Sequence, residues 1–133
     1  MASVIPKEVK KEITDGWVAE THKVALLVGY TFVDGHDVYA DVSGWEHANV
    51  GGYTTGGAVL AGKASTNVGT TAKFDATDSS WGPGASLTNV NFAVIYETTG
   101  GKIRDIVDLG GTFSCVDSTF SIIWSASGIV VIS

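Results

Sequence analysis

The stretch from Asn89 to Leu109 constrains the fold more than any other part of the chain, because its pattern is typical of a β-hairpin. It reads N-V-N-F-A-V-I-Y-E-T-T-G-G-K-I-R-D-I-V-D-L. The first arm is rich in β-branched and aromatic residues, and the second alternates apolar with charged residues, as a half-exposed strand does. Between the arms, Gly100 and Gly101 can adopt the positive φ angles of a tight reversal. The pattern places four residues of the first arm on one face: Val90, Phe92, Val94 and Tyr96.

Short strands separated by turns are predicted along the rest of the chain. Lys23–Tyr30 is almost continuously apolar, which favours a strand buried on both faces. The 17 glycines against 2 prolines fit a chain with many tight turns. Further strands are predicted at Val38–Val42, Ala58–Ala64, Thr70–Asp75, Thr119–Ser125 and Ile129–Ile132, with a loop at Asp78–Ser86 and a turn at Gly110–Gly111. These features predict an all-β domain over residues 19–133, either an antiparallel β-sandwich or a jelly-roll-like barrel.

Residues 1–18 are predicted to form a short N-terminal helix or arm. Apolar residues recur there at every fourth position, a spacing that aligns them on one stripe of a helix. The four residues of this stripe are Ile5, Val9, Ile13 and Trp17. Two placements are open: the helix lies on the sheet of its own domain, or its stripe docks on a neighbouring subunit or shell. The stripe is therefore a candidate oligomer or shell interface.

The C-terminal segment Gly128–Ile132 is apolar and contains neither proline nor charge. An unpaired strand of this kind is prone to associate with other chains, because nothing protects its free backbone groups. We therefore expect it to lie in the sheet of its own domain or to be covered by another chain, and we favour its own sheet.

No arrangement of residues in the sequence indicates catalysis or a cofactor. Cys115 is the only cysteine, so no internal disulfide is possible. His36 lies between Asp34 and Asp37, but the spacing of metal-binding motifs is absent, which favours a solvated loop. Neither a nucleophile elbow nor a phosphate-binding glycine loop occurs. We expect a protein that is not an enzyme and binds no metal or cofactor.

Charge and hydropathy restrict the partners. The formal net charge is −6, and the basic residues are scattered, so a nucleic-acid partner is disfavoured. No apolar run is long enough to cross a membrane, and the N-terminus lacks the pattern of a signal peptide. We expect no membrane partner and synthesis in the cytoplasm.

Three aromatic residues lie in or beside predicted loops: Trp45, Tyr53 and Trp81. Exposed loop aromatics on a β-sandwich can stack on sugar rings, so they are candidate ligand-facing residues. In the alternative that we favour, they fill the open ends of the sandwich as core residues.

Several blocks of the sequence together resemble small virion proteins of tailed bacteriophages. In order, they read H-K-V-A-L-L, D-V-Y-A-D-V-S-G-W-E, G-G-Y-T-T-G-G-A-V-L-A-G-K, F-D-A-T-D-S-S-W, F-A-V-I-Y-E-T-T-G and F-S-I-I-W-S-A-S-G-I. The resemblance covers Lys23 to the C-terminus and does not include the N-terminal stripe.

The resemblance implies a structural protein of the phage particle, most specifically a capsid decoration or cement protein that binds and stabilises the assembled shell. The implied partners are the major capsid protein and copies of the chain itself, commonly as a homotrimer. The implied location is the virion, assembled in the host cytoplasm. A tail, fibre or baseplate component is the first alternative, and a carbohydrate-binding β-sandwich module is the second.

Overall fold

The computed structural model describes residues 5–132, which form mostly β-strands in two antiparallel sheets with little helix. The elements are helix α1 (Lys7–Val18), strand β1 (His22–Val28), helix α2 (Tyr39–Val42), a 3₁₀ turn (Ser43–Trp45) and strands β2 (Ala58–Val59), β3 (Ala64–Val68), β4 (Thr71–Asp75), β5 (Ser79–Glu97), β6 (Ile103–Ile122) and β7 (Val130–Ile132). The larger sheet has the order β2-β1-β5-β6, and the smaller sheet has the order β3-β4-β7.

The predicted hairpin is confirmed as the junction of β5 and β6. Phe92 lies opposite Asp108 and Tyr96 opposite Ile103. The turn between the strands is held by the carboxylate of Glu97, which accepts hydrogen bonds from the backbone amides of residues 99, 100 and 102 at 2.9, 2.7 and 3.1 Å. These backbone donors, with that of residue 102 first, hold the pKa of Glu97 below its usual range despite opposing desolvation.

The hairpin is much longer than predicted, because two expected interruptions are not loops. The segment Asp78–Ser86 belongs to β5 from Ser79 onward, and Gly110–Gly111 lies within β6, so both predictions are wrong. The pairing register between β5 and β6 shifts at both of these segments. Between the pairs Phe92–Asp108 and Val90–Phe113, β6 contains more residues than β5, and this excess forms a β-bulge.

The irregular register also separates residues that were predicted to share a face. Phe92, Val94 and Tyr96 pack in one apolar cluster with Ala25 and Leu27. Val90 packs instead in the other cluster, with Ala93 and Ile95. The predicted common face is therefore wrong for Val90, since a register shift between residues 90 and 92 breaks the alternation.

Strand β1 is buried on both faces, as predicted. Val24 and Leu26 point into one cluster and Ala25 and Leu27 into the other, all with no exposed surface. The predicted strand Val38–Val42 is wrong, because these residues lead into α2. The Asp41 carboxylate accepts hydrogen bonds from the amides of residues 37 and 38 and stabilises the start of that helix.

The short strands of both sheets partly match the prediction. Strand β4 is confirmed over Thr71–Asp75, whereas the strand expected at Ala58–Ala64 shortens to Ala58–Val59 and β3 begins at Ala64. The C-terminal strand joins its own sheet, as favoured, by pairing with β4 at an edge. Phe74 of β4 and Ile95 of β5 belong to the same buried cluster, so apolar side chains of both sheets pack together.

Candidate assembly interface

Helix α1 lies on β3 and β4, and two of its polar residues bond to this part of the chain. The Lys10 ammonium donates to the carbonyl of Thr70 at 2.9 Å, and the hydroxyls of Thr14 and Ser65 are 2.6 Å apart. Both α1 residues are buried. The helix therefore rests on its own domain, in agreement with the first of the two placements predicted for it.

The predicted apolar stripe is divided between the domain and the solvent. The Trp17 ring meets the Phe74 ring edge-on at a centroid distance of 5.7 Å, because residue 17 shares a helix face with the buried residues 10 and 14. Trp17 is therefore partly buried against its own domain, and only part of its ring remains available to a partner. Ile5, Val9 and Ile13 are 54%, 44% and 45% exposed. We call these three residues the outer stripe.

A charged cluster at the end of α1 joins the helix to the larger sheet. Arg104 of β6 makes two hydrogen bonds to the Glu20 carboxylate, at 3.1 and 2.6 Å, and its guanidinium lies 5.5 Å from the centroid of Trp17. His22 Nε2 is 3.1 Å from the same carboxylate. His22 is fully buried, and its Nδ1 has no hydrogen-bond partner among the described residues. Desolvation, reinforced by the nearby Lys63, lowers the pKa of His22 more than Glu20 raises it.

The three candidate ligand-facing aromatics are not brought together on the surface. Tyr53 and Trp81 are 2% and 4% exposed and belong to the main buried cluster. The prediction that they face a ligand is therefore wrong, since a buried ring cannot stack on a sugar. Trp45 is half exposed, and its ring meets the Tyr30 ring edge-on at 5.3 Å.

The Tyr53 hydroxyl belongs to a network around Glu46 that the sequence did not reveal. Hydroxyls of Tyr39 and Tyr53 and the amide of Gly56 all donate to the Glu46 carboxylate, with Tyr53 at 2.5 Å and Gly56 at 2.6 Å. Burial, followed by the adjacent Glu46, raises the pKa of both tyrosines, so they remain protonated donors. The Tyr53 hydroxyl also accepts from the amide of Leu26 in β1 at 3.0 Å. The network attaches the long loop between β1 and β2 to the sheet.

Strand β6 forms an open edge of the larger sheet. On its outer side, the described residues provide only one bridge, between Val38 and Lys102 near its start. Val116 is 84% exposed, which is the highest value among the large exposed apolar residues. A groove of about 240 Å³ lies along this part of β6 and is lined by Leu109, Phe113, Phe120, Ser121, Ile122 and Ile123.

Among residues 5–132, no group of three or more His, Cys, Asp or Glu side chains is placed to hold a metal ion. His36 instead pairs through Nδ1 with the Tyr30 hydroxyl at 2.7 Å. Within the same range, no helix is long and apolar enough to cross a membrane.

Comparisons with known proteins do not extend the resemblance to phage virion proteins. No protein-family model matches the chain, and no curated protein or solved structure matches it either.

Proposed function

We propose that the protein is a structural subunit of a tailed-phage particle, most specifically a capsid decoration protein that binds the assembled shell. The observation that carries this proposal is the outer stripe, in which Val9 and Ile13 on α1 and Ile5 just before it are displayed to solvent beside a folded domain. The resemblance in sequence supplies the phage particle, and the stripe supplies a surface for attachment.

The outer stripe is suited to attachment because its geometry exists before binding. Full burial of a large aliphatic side chain is worth about 1.5–3 kcal/mol, so covering the stripe would provide a useful part of a binding energy. Contacts from Lys10, Thr14 and Trp17 already order the helix, and therefore little conformational entropy is lost on docking. A subunit that binds only the assembled shell stabilises it by mass action.

The charges beside the stripe restrict the partner surface. Charges of both signs flank the stripe, with Lys7, Glu8 and Glu12 all exposed on the same helix. The proposed complementary surface on the major capsid protein is thus apolar with charges of both signs at its rim. The formal charge of −6 on the whole chain disfavours attachment to packaged nucleic acid.

The finer architecture and location belong to the same proposal. An antiparallel β-sandwich, or a jelly-roll-like barrel, is supported by the apolar cluster to which both sheets contribute. The proposed location is the virion, the proposed partners are the major capsid protein and copies of the chain, and no catalytic role is assigned. A tail, fibre or baseplate component would use the same fold with a different copy number.

The location can be tested on purified particles of the phage that encodes the chain. Heads and tails are separated, and quantitative mass spectrometry gives the number of copies in each fraction. We expect the protein in the head fraction at a copy number comparable with that of the major capsid protein. Recovery in the tail fraction would favour the alternative, and absence from both fractions would refute a virion role.

The attachment surface can be tested with heads that lack this protein. The double variant Val9→Glu with Ile13→Glu should bind such heads at least tenfold more weakly than the unmodified protein, because charge replaces two apolar contacts. The control variant Val33→Glu changes an apolar residue of similar exposure, 47%, in the loop between β1 and α2, and should bind normally. Equal binding by all three proteins would exclude the outer stripe as the attachment surface.

A further inference from the structure

We infer that the distal half of β6 pairs antiparallel with the same strand of a second copy, around a two-fold axis between Val116 and Asp117. This pairing goes beyond the proposed function, because it concerns how two copies associate and does not require a phage shell. It would join the two larger sheets edge to edge into one continuous sheet.

The first support is the open edge itself. From Leu109 to Ile122, none of the other strands in the described chain pairs with the outer side of β6. An edge strand presents unpaired backbone donors and acceptors, and proteins usually protect it with lysine, proline or a covering segment. This stretch contains neither lysine nor proline. Its backbone is therefore available to another extended strand.

The second support is that the stretch reads nearly the same in both directions. Residues 112–121 are T-F-S-C-V-D-S-T-F-S. Antiparallel pairing around the proposed axis places Thr112 opposite Ser121, Phe113 opposite Phe120, Ser114 opposite Thr119 and Cys115 opposite Ser118. Aromatic residues thus meet aromatic residues and small polar residues meet small polar ones, which are favourable cross-strand combinations. Such self-complementarity favours a second copy over a foreign strand.

The third support is that the two phenylalanines share a face. Directly opposite residues of neighbouring strands must lie on the same side of the sheet. Phe113 and Phe120 are seven residues apart, so regular alternation would put them on opposite sides. Both nevertheless line one groove, and Asp117 between them has a left-handed φ of 45° that interrupts the alternation. The two phenylalanines can therefore meet their counterparts across the axis.

The fourth support is electrostatic. Two copies that each carry a formal charge of −6 repel one another, and this repulsion is smallest where the contacting surfaces carry few charges. Asp117 is the only charged residue between Leu109 and Ile122. In the proposed register it lies opposite Val116, so the two Asp117 carboxylates do not face each other directly. The two-fold pairing is an alternative to the homotrimer that the sequence resemblance implies.

The native cysteine allows a direct test of the register. In the variant Ser118→Cys, Cys115 of each copy lies opposite the new thiol of the other copy. Within one chain these positions are three residues apart, about 10 Å in a strand, which exceeds the roughly 7 Å limit for a disulfide. Oxidation, or a short cross-linker between thiols, should therefore convert this variant to covalent dimers. The matched control Ser121→Cys also changes an exposed β6 serine, but its thiol lies three residues out of register and should form few dimers.

Light scattering coupled to size-exclusion chromatography tests the association without cysteine chemistry. We expect the unmodified protein to be a dimer, and Val116→Asp to be a monomer of unchanged circular dichroism, because it adds carboxylates at the axis. Val68→Asp places the same charge on another exposed valine and should remain dimeric. A monomeric or trimeric unmodified protein, or equal cross-linking of the Ser118→Cys and Ser121→Cys variants, would overturn the inference. Since these experiments use the isolated protein, their failure is distinct from failure of shell binding.

Discussion

Strands β1 and β6 belong to the same sheet but differ in how their outer edges are covered. On one side β1 pairs with β5, and on the other it is covered by β2 and by the loop that contains Glu46 and Tyr53. The Leu26 amide donates to the Tyr53 hydroxyl, and the Leu26 carbonyl accepts from the amide of His47 at 2.9 Å. Within residues 5–132, the distal half of β6 pairs with β5 alone.

The difference indicates that the covered strand β1 stabilises the fold, whereas the open edge of β6 is available for assembly. Burial on two faces and bonds on two edges make β1 the centre of the fold. The distal half of β6 contributes less to the core and leaves its edge groups available. Substitutions in β1 should therefore alter folding, whereas substitutions in distal β6 should alter association.

The largest expected effect comes from truncating the core of β1. Leu26→Ala should lower the free energy of unfolding by about 2–5 kcal/mol, because it removes buried contacts and leaves a cavity. Val116 of β6 is exposed and provides the contrast, since Val116→Ala should change the free energy of unfolding by less than about 0.5 kcal/mol. Urea denaturation at a concentration where the chain is monomeric measures both. Similar losses for the two variants would contradict the comparison.

A smaller effect is expected when the edge of β1 loses its cover. Tyr53→Phe removes the acceptor of the Leu26 amide and one donor to Glu46, and should cost about 1–3 kcal/mol of unfolding free energy. Tyr39→Phe is the matched control, since it also removes a hydroxyl from Glu46 but leaves Leu26 paired. Hydrogen exchange at the Leu26 amide should accelerate more in Tyr53→Phe than in Tyr39→Phe. Equal acceleration would show that the hydroxyl does not protect β1.

The first residue of β1 should make stability depend on pH. Burial lowers the pKa of His22 from the ordinary value of 6.5, so the unfolded chain binds a proton more readily than the folded one. Stability contributed by the neutral imidazole is complete above pH 6.5 and decreases as the pH falls below that value. Between about pH 7.5 and pH 5, the free energy of unfolding should therefore decrease less in His22→Gln than in the unmodified protein. Identical pH profiles would exclude a contribution from His22.

The smallest effect is expected at Trp45, beside the loop that covers β1. Its ring is half exposed and touches Tyr30, so Trp45→Ala should lower the unfolding free energy by about 0.5–1.5 kcal/mol without changing the fold. A glycan array tests the carbohydrate-binding alternative, and we expect no retention of either protein. Retention that disappears in Trp45→Ala would revive that alternative and give the covering loop a binding role.

Local patterns identified the parts of the fold whose environment is encoded in neighbouring residues. The continuous apolar run of β1 indicated burial on both faces, and the alternation around Gly100 and Gly101 indicated the β5–β6 turn. The short helix at Tyr39–Val42 could not be predicted in the same way, because its β-branched and aromatic residues favour a strand. The Glu46 network was missed because Tyr39 lies in α2 whereas Glu46 and Tyr53 lie outside any helix or strand, so no periodic pattern joins the three residues.

Short-range patterns are sufficient to establish that this chain is mostly β, that β1 is buried on both faces, and where the main hairpin turns, since periodicity and glycine pairs act over a few residues. Which face of α1 is buried depends instead on tertiary contacts. Lys10 and Thr14 find their partners at Thr70 and Ser65, more than fifty positions away, and these bonds turn the outer stripe to solvent. The tertiary structure also decided that distal β6 is an edge, because an edge is defined by the absence of a neighbouring strand, and strand order depends on contacts that are remote in the sequence.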